Sequence, residues 1–579
     1  MRRRRCAPKA SLRKHADNGG MTKRRPFSSL SDRPEGWNPL TLAALAGLWI
    51  AALPNWPLWR ELLALPETSS VRGALFIVGF GVMVAALTAA LLTLLAWHAT
   101  IKPAIAVLLL VAAFGAHFMG TYGVVIDTAM MTSVVQTDPR EIRDLLSLRL
   151  LGTLLLLAGL PLLLLWRLPV RGIGLRRQAG RNLLGIAALA VVLVALLFAL
   201  FADLSGTMRN HRAMRYLVNP VNSIYALVDL VAKSQARPTG PPQAIGTDAR
   251  ILPRPTGAKP PLVVLVIGET ARADHFALNG YARPTNPELA ALDVLSFRHV
   301  LSCGTNTAAS LPCMFSHLGK AAYESRDKGY ENLLDLVQRA GMAVLWIDNQ
   351  AGCKGLCNHV PHAYARDPIA GVPAMPATLC DSAECLDGAL LHGIDARLAA
   401  LPAVARGRGV LLVLHQMGSH GPAYFKRSPP DRKPFQPECT TNVLQQCDDT
   451  SLINAYDNSI AYTDHVLAQT ILWLKQQEPR YDTSLLYLSD HGESLGESGL
   501  YLHGLPYAVA PVEQIHVPML LWLSPQARAD AHLQPACLSA LRDAAFTHDN
   551  LFHSTLGLLG IRASEYKRSL DAFAACRAP

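Results

Sequence analysis

The sequence predicts a two-part α/β protein: five membrane-crossing helices first, then a parallel-sheet domain outside the membrane. Three observations carry that prediction. Five apolar segments fall within the first 202 residues, and five short apolar runs after residue 261 alternate with helical stretches. Ten of the eleven cysteines lie between Cys303 and Cys576. A chain of 579 residues exceeds one ordinary domain. Being 50% apolar and only 17% charged, it fits a membrane part joined to a globular part.

Residues 1–38 hold eleven Lys or Arg without apolar periodicity and read as a disordered cytoplasmic arm, with Met21 a second possible start. No small-residue cleavage site follows, so no removable signal peptide is expected. The net charge of +11 does not indicate nucleic acid as a partner. Arg and Lys crowd the arm and the gaps between apolar segments, with no basic stripe among aromatics. Membrane topology explains them better.

The segments run over about 40–58, 73–97, 103–126, 149–166 and 182–202. Most can cross about 30 Å of hydrocarbon. The first is weakest, being interrupted by Pro54 and Pro57. Lys102 and the set Arg167, Arg171, Arg176, Arg177 and Arg181 share the arm's side, while Arg60, Arg72, Arg140 and Arg143 lie opposite. This asymmetry places the N-terminus in the cytoplasm and everything after residue 203 outside. No ionisable residue is read in mid-span, which counts against a transporter.

The gap at 127–148 faces the soluble domain. There Gln136, Thr137, Asp138 and Glu141 are placed to touch a lipid head group, or Asp138-Pro139 simply starts a helix. MRYLVNPVNSIYALVDLV has amphipathic spacing suited to the membrane surface, and a Pro/Gly-rich linker follows. The expected units are therefore 1–38, 39–202, 203–260 and 261–579.

The apolar runs at 262–267, 343–347, 410–414, 485–488 and 517–523 read as strands of a parallel sheet covered on both faces. Four of them end in polar clusters: Gly268-Glu269-Thr270, Asp348-Asn349-Gln350, His415 with Gly418-Ser419-His420, and Asp490-His491. Ligands of open α/β sheets bind at such carboxyl ends. The stretch Leu485–Gly504 adds Glu493, Glu497 and His503 on a glycine-rich loop, a donor set suited to a divalent metal. Cys303 with Cys313, Cys353 with Cys357, Cys380 with Cys385 and Cys439 with Cys447 are close pairs, leaving Cys537 and Cys576. That is a disulfide pattern of an oxidising compartment, and without two CxxC pairs a zinc ribbon is disfavoured. CGTNTAASLPCMFS opens a helix at Thr305, Asn306 and Thr307, either as a plain cap or as a phosphate-binding N-terminus.

The GET strand end, the TNTAASLPCMFS loop and the DHGESLGE…LHG stretch resemble the membrane phosphoethanolamine transferases. These enzymes of the alkaline-phosphatase-like superfamily decorate lipid A and underlie polymyxin resistance. The resemblance covers the whole chain, including the spans, NPVNSIYA and the cysteine pairs. It implies a multi-pass protein of the bacterial inner membrane with an alkaline-phosphatase-like catalytic domain in the periplasm, acting as a monomer. Glu269, Thr307, Asp490 and His491 match the family's zinc ligands, and Thr307 matches the nucleophile. His420 in GSHGP and His503 in LHG match histidines near the substrate phosphate or a second zinc. Lys354 in CKG matches a head-group contact, grouped here with Gln350, Glu141 and Thr137. Gln350 and Ser133 stand where some members carry Asn. The implied reaction takes phosphoethanolamine from phosphatidylethanolamine to a lipid A phosphate through phospho-Thr307, releasing diacylglycerol.

Transfer to lipopolysaccharide core sugars is the alternative within the family. A phosphoglycerol transferase would share the fold and a threonine nucleophile, but the cysteine pairs and NPVNSIYA argue against it. A sulfatase needs Cys or Ser before x-P-x-R, which Thr307-Ala308-Ala309-Ser310 does not offer.

Overall fold

The computed structural model describes residues 35–136, 139–236, 240–381 and 384–577. The arm to residue 34, with Cys6, lies outside them, as do Thr137, Asp138 and the side chains of Gln136 and Glu141.

Pro39–Ala52 (α1) and Trp56–Leu63 (α2) form a pair bent by 48°. Val71–Thr93 (α3) and Ile101–Tyr122 (α4) are candidate spans. After the short helices Thr128–Gln136 (α5) and Pro139–Leu145 (α6) come two more, Leu148–Arg167 (α7) and Leu175–Ala199 (α8). The α1–α2 break is where Pro54 interrupts the first segment, and it frees backbone groups that must find partners in an apolar surround. The NPVNSIYA motif supplies them. Asn219 donates through Nδ2 to the Pro54 carbonyl at 3.2 Å and the Ala112 carbonyl at 2.6 Å. Asn55 Nδ2 donates to the Asn219 carbonyl at 2.6 Å, and the Asn219 N–H donates back to Asn55 Oδ1 at 2.9 Å. Gly115 makes the fit possible, because a Cβ there would lie 2.6 Å from Asn219 Oδ1. The reading that no span carries an ionisable residue is corrected: His117 sits buried in α4, 3.4 Å from Thr153 Oγ1.

Val221–Ala236 (α9) follows the Asn219-Pro220 anchor, with Tyr225, Leu227, Val228 and Val231 exposed. The catalytic-side sheet has seven strands. In chain order these are Pro261–Gly268 (β1), Leu295–Phe297 (β2), Ala343–Asp348 (β3), His362–Tyr364 (β4), Val410–His415 (β5), Asp482–Ser489 (β6) and Met519–Leu523 (β7). Their spatial order is β2-β7-β6-β1-β5-β3-β4. Residues alternate between faces. Ile267, Trp346, Val413 and Leu486 enter one core, while Val266, Leu412 and Tyr487 pack on Asp449–Gln477 (α11) through Ile460, Leu467 and Ile471.

The sheet is not wholly parallel as expected. β7 runs antiparallel to both β6 and β2. Apolar runs carry no direction, and the reason lies in the connection. The loop after β6 leaves and returns at the same end of the sheet without a crossover helix, so β7 must run back beside β6. All five cysteine pairs are disulfides, Cys537–Cys576 included.

Candidate active site

Glu269 leaves the end of β1 and is fully buried. Thr270 beside it adopts φ 60°, a left-handed conformation costing a β-branched residue about 1–3 kcal/mol. The turn is held from both sides. The Thr270 N–H donates to Asp490 Oδ1 at 3.2 Å, and its carbonyl accepts from the Tyr456 hydroxyl at 2.8 Å. Gly418 closes over this strand end at φ +52°, and a Cβ there would lie 2.5 Å from the Glu269 carbonyl oxygen.

Thr307 opens Thr307–Met314 (α10), whose N-cap is Asn306. Its hydroxyl donates to the Glu269 carboxylate, 3.1 Å from either oxygen. Glu269 also accepts from Thr270 Oγ1 at 2.8 Å and from Gln350 Nε2 at 3.0 Å. Gln350 therefore orients Glu269, a role its sequence position did not reveal.

Glu269, Asp490 and His491 bring three ligand atoms within 4.8 Å of one another, all on fully buried residues. His491 shares Nδ1 with the Gly492 carbonyl at 2.8 Å, which leaves the Nε2 lone pair for the cluster. Nε2 is 3.2 Å from Glu269 and 3.5 Å from Asp490, but neither it nor Asp490 Oδ2 has a hydrogen-bond partner among the described residues. Burial, reinforced by the Glu269 charge, pushes the Asp490 carboxyl up to about 7. Burial alone would lower His491, yet the neighbouring Asp490 and Glu269 charges raise it to about 10. Two carboxylates thus face a single imidazole, and the protons these groups retain are ones a bound cation would displace. Two orphaned ligand atoms and an O,O,N donor set, with the Thr307 oxygen alongside, fit a divalent cation such as zinc.

His503 and His420 stand next to this cluster, their ring centroids 5.5 Å apart and that of His503 4.3 Å from His491. Glu493 orients His503. Its Oε1 meets His503 Nδ1 at 3.1 Å, while Oε2 accepts from the Tyr424 hydroxyl at 2.9 Å. Burial pushes the Glu493 carboxyl up to about 8. Within the sheet, Asp348 Oδ2 meets His415 Nδ1 at 2.9 Å and accepts from Trp346 Nε1 at 2.8 Å. Sequence reading placed Glu493 and the Asp348–His415 pair near the strand ends but gave them no role. The only signal was a carboxylate near a histidine, and it became meaningful once register aligned Asp348 with His415.

A pocket opens onto Thr307. Lys354, Gln350, His420 and His503 line one side of it, Ser133 joins the rim, and Phe118, Tyr122, Val124, Ile126 and Leu145 line the membrane side. Lys354 is carried at φ 48° within the Cys353–Cys357 loop. Asp144 of α6 clasps the two sides together. It pairs with Lys426 and Arg427, both of which also pair with Glu384. Arg427 Nε in turn donates to the His420 carbonyl at 2.9 Å.

Two family models match this chain, "Phosphoethanolamine transferase EptA/EptB" over residues 83–235 and "Sulfatase" over residues 261–561. Phosphoethanolamine transferase EptA of Salmonella typhimurium is 38% identical over 92% of this chain and 96% of its own. The chain belongs to the phosphoethanolamine transferase family. Phosphatidylethanolamine transferase Mcr-1 of Escherichia coli is 37% identical over the same shares. The integral membrane lipooligosaccharide phosphoethanolamine transferase A of Neisseria meningitidis superposes with a TM-score of 0.86 at 31% identity, covering 93% of this chain and 99% of that one. The membership makes this an integral membrane enzyme of the alkaline-phosphatase-like superfamily.

Proposed function

We propose that this enzyme moves phosphoethanolamine from phosphatidylethanolamine to a lipid A phosphate through a covalent phospho-Thr307 intermediate. The pocket carries the reading. It joins a buried threonine hydroxyl to apolar side chains of a membrane helix, as a diacyl lipid with a reactive head-group phosphate requires. Thr307 Oγ attacks the phosphorus as the bond to the glyceride oxygen breaks, and the leaving alkoxide takes a proton to become diacylglycerol. His503, with Nδ1 held by Glu493, and His420 beside it are the groups placed to supply that proton. Lys354 meets the phosphate charge. An acceptor phosphate oxygen then attacks phospho-Thr307 and frees the hydroxyl. Glu269, Asp490, His491 and Thr307 are the residues that would hold zinc, which when bound lowers the threonine pKa and offsets phosphoryl charge. Orientation in the inner membrane with the sheet domain in the periplasm accords with the disulfides and the basic-residue asymmetry.

The test is peptide mass spectrometry after incubation with phosphatidylethanolamine and no acceptor. The Thr307 peptide should gain about 123 Da, and the Thr307→Ala protein should gain nothing. An unmodified peptide from zinc-loaded protein would refute the nucleophile, and an adduct formed only when phosphatidylglycerol replaces phosphatidylethanolamine would refute the donor.

A further inference from the structure

We propose that Asn306 is a catalytic hydrogen-bond donor, its Nδ2 holding a non-bridging oxygen of the phosphoryl group as that group passes to and from Thr307. The inference rests on the reading of Thr307 as nucleophile. Asn306 is 3% exposed and precedes Thr307 directly. Its Oδ1 accepts the Ala309 N–H at 2.9 Å, which caps α10 and fixes which end of the amide faces the helix. The other end, Nδ2, is buried and has no partner among the described residues.

A cap does not explain that nitrogen. Asp, Ser and Thr cap helices about as well as Asn and bury no amide donor. An unmet buried N–H costs stability, and such groups mark places where a ligand completes the bonding. Here the ligand-side chemistry is already set. The N–H groups of Thr307 and Ala308, at the first turn of α10, have no intrahelical acceptors, and the helix end favours negative charge. Asn306 also forms the wall between two cavities. One is the Thr307 pocket. The other, beyond α10, is lined by Asp127, Asp229, Tyr225 and Arg326 and shares only Asn306 and Ala308 with the first. A donor in that shared wall can reach a phosphoryl group on Thr307 whichever side the second substrate approaches from.

The step balances without a further reagent. Thr307 Oγ–P forms as P–O(glyceride) breaks, the threonine proton ends on the glyceride oxygen, and the non-bridging oxygens keep their charge throughout. Asn306 gives up no proton. It holds one of those oxygens as the phosphorus changes partners, which is electrostatic stabilisation in a dry site.

The test uses full-length, zinc-loaded protein and compares wild type with N306D and N306S. Both variants keep a capping oxygen; the first replaces the donor by a carboxylate, and the second is neutral but too short to reach as the amide does. Single-turnover formation of the Thr307 adduct from phosphatidylethanolamine is read beside zinc content and thermal unfolding. The expected result is retained zinc and melting, a KM for the lipid within about twofold, and an adduct rate lowered about 100-fold or more in N306D and about tenfold in N306S. An adduct rate within twofold of wild type in either variant would make Asn306 a cap only and overturn the proposal. Loss of zinc or of the fold in both would overturn it as well, by showing a structural role. Failure of the wild-type protein to form any adduct would instead strike at Thr307 as nucleophile, so the two readings fall separately.

Discussion

On the sheet side of Thr307, Glu269, Asp490, His491 and Glu493 are fully buried and fixed by strand ends, a strained Thr270 and the close approach of Gly418. On the membrane side the same pocket is walled by apolar side chains from α4 and the segments after it, and tied to the sheet domain through ion pairs at Asp144. One wall is pre-organised around a buried cluster of two carboxylates and an imidazole. The other offers area and almost no directed chemistry. The difference suggests a division of labour, in which the sheet side lowers the barrier and the membrane side captures the lipid.

The sharpest way to break this division is Asp490→Ala. It removes a carboxylate of the proposed zinc site, so bound zinc by elemental analysis and transfer should both be lost, the latter by at least about 10³-fold. The variant should keep its fold but melt below wild type, because the buried Thr270 and His491 N–H groups lose their acceptor and bound zinc no longer adds stability. Next comes Gly418→Ala. Its methyl group would collide with the Glu269 carbonyl, and a misplacement of this kind costs about 10²-fold in kcat with the lipid KM little changed.

Arg427→Met should act on the junction of the two walls. Arg427 is 5% exposed in its side chain, and its loss leaves Asp144 and Glu384 sharing Lys426, at a cost of about 3 kcal/mol. His420 also loses the guanidinium on its carbonyl, so kcat should fall about tenfold as KM rises. The clasp has a pH signature. Burial raises the Glu384 carboxyl, but Arg427 and Lys426 outweigh it and hold the group below its ordinary value. A depressed carboxyl pKa contributes stability above the unfolded value of about 4.5 and loses it as pH falls through the folded value. Cleavage of the interdomain segment by an acid-active protease should therefore rise below that range, earlier in R427M than in wild type. The mildest effect on transfer is expected of Asn219→Ala. It strips donors from the Pro54 and Ala112 carbonyls at the bent first span and should lower detergent-phase stability by about 1–3 kcal/mol while leaving kcat near wild type.

How much of this could be read in advance follows the same line. The strand ends at Glu269, Asp490-His491 and His415 were legible, because an apolar run cut short by a carboxylate or imidazole marks both a strand and its carboxyl end. Five spans were legible as apolar length, the bent first one through Pro54. The direction of β7 was not, since direction resides in a loop's path rather than in its composition. Gln350, Glu493 and Arg427 were invisible as supports, because each acts through a partner 7 to 81 residues distant. Thr305, Asn306 and Thr307 read as a helix start, either a plain cap or a phosphate site, and the Asn306 nitrogen without a partner among the described residues says more. The NPVNSIYA motif announced itself as a pattern, but its work on the α1–α2 break required the fold.

The measurement that tests the division of labour most directly compares kcat and KM for wild type and Phe118→Ala with a long-chain and a dihexanoyl phosphatidylethanolamine. Phe118 lines the membrane wall and stacks on Tyr122 of the same helix. The account predicts a raised KM for the long-chain donor alone, with kcat retained on both. A kcat that falls equally on both donors with KM unchanged would contradict it, by placing the chemistry on both walls.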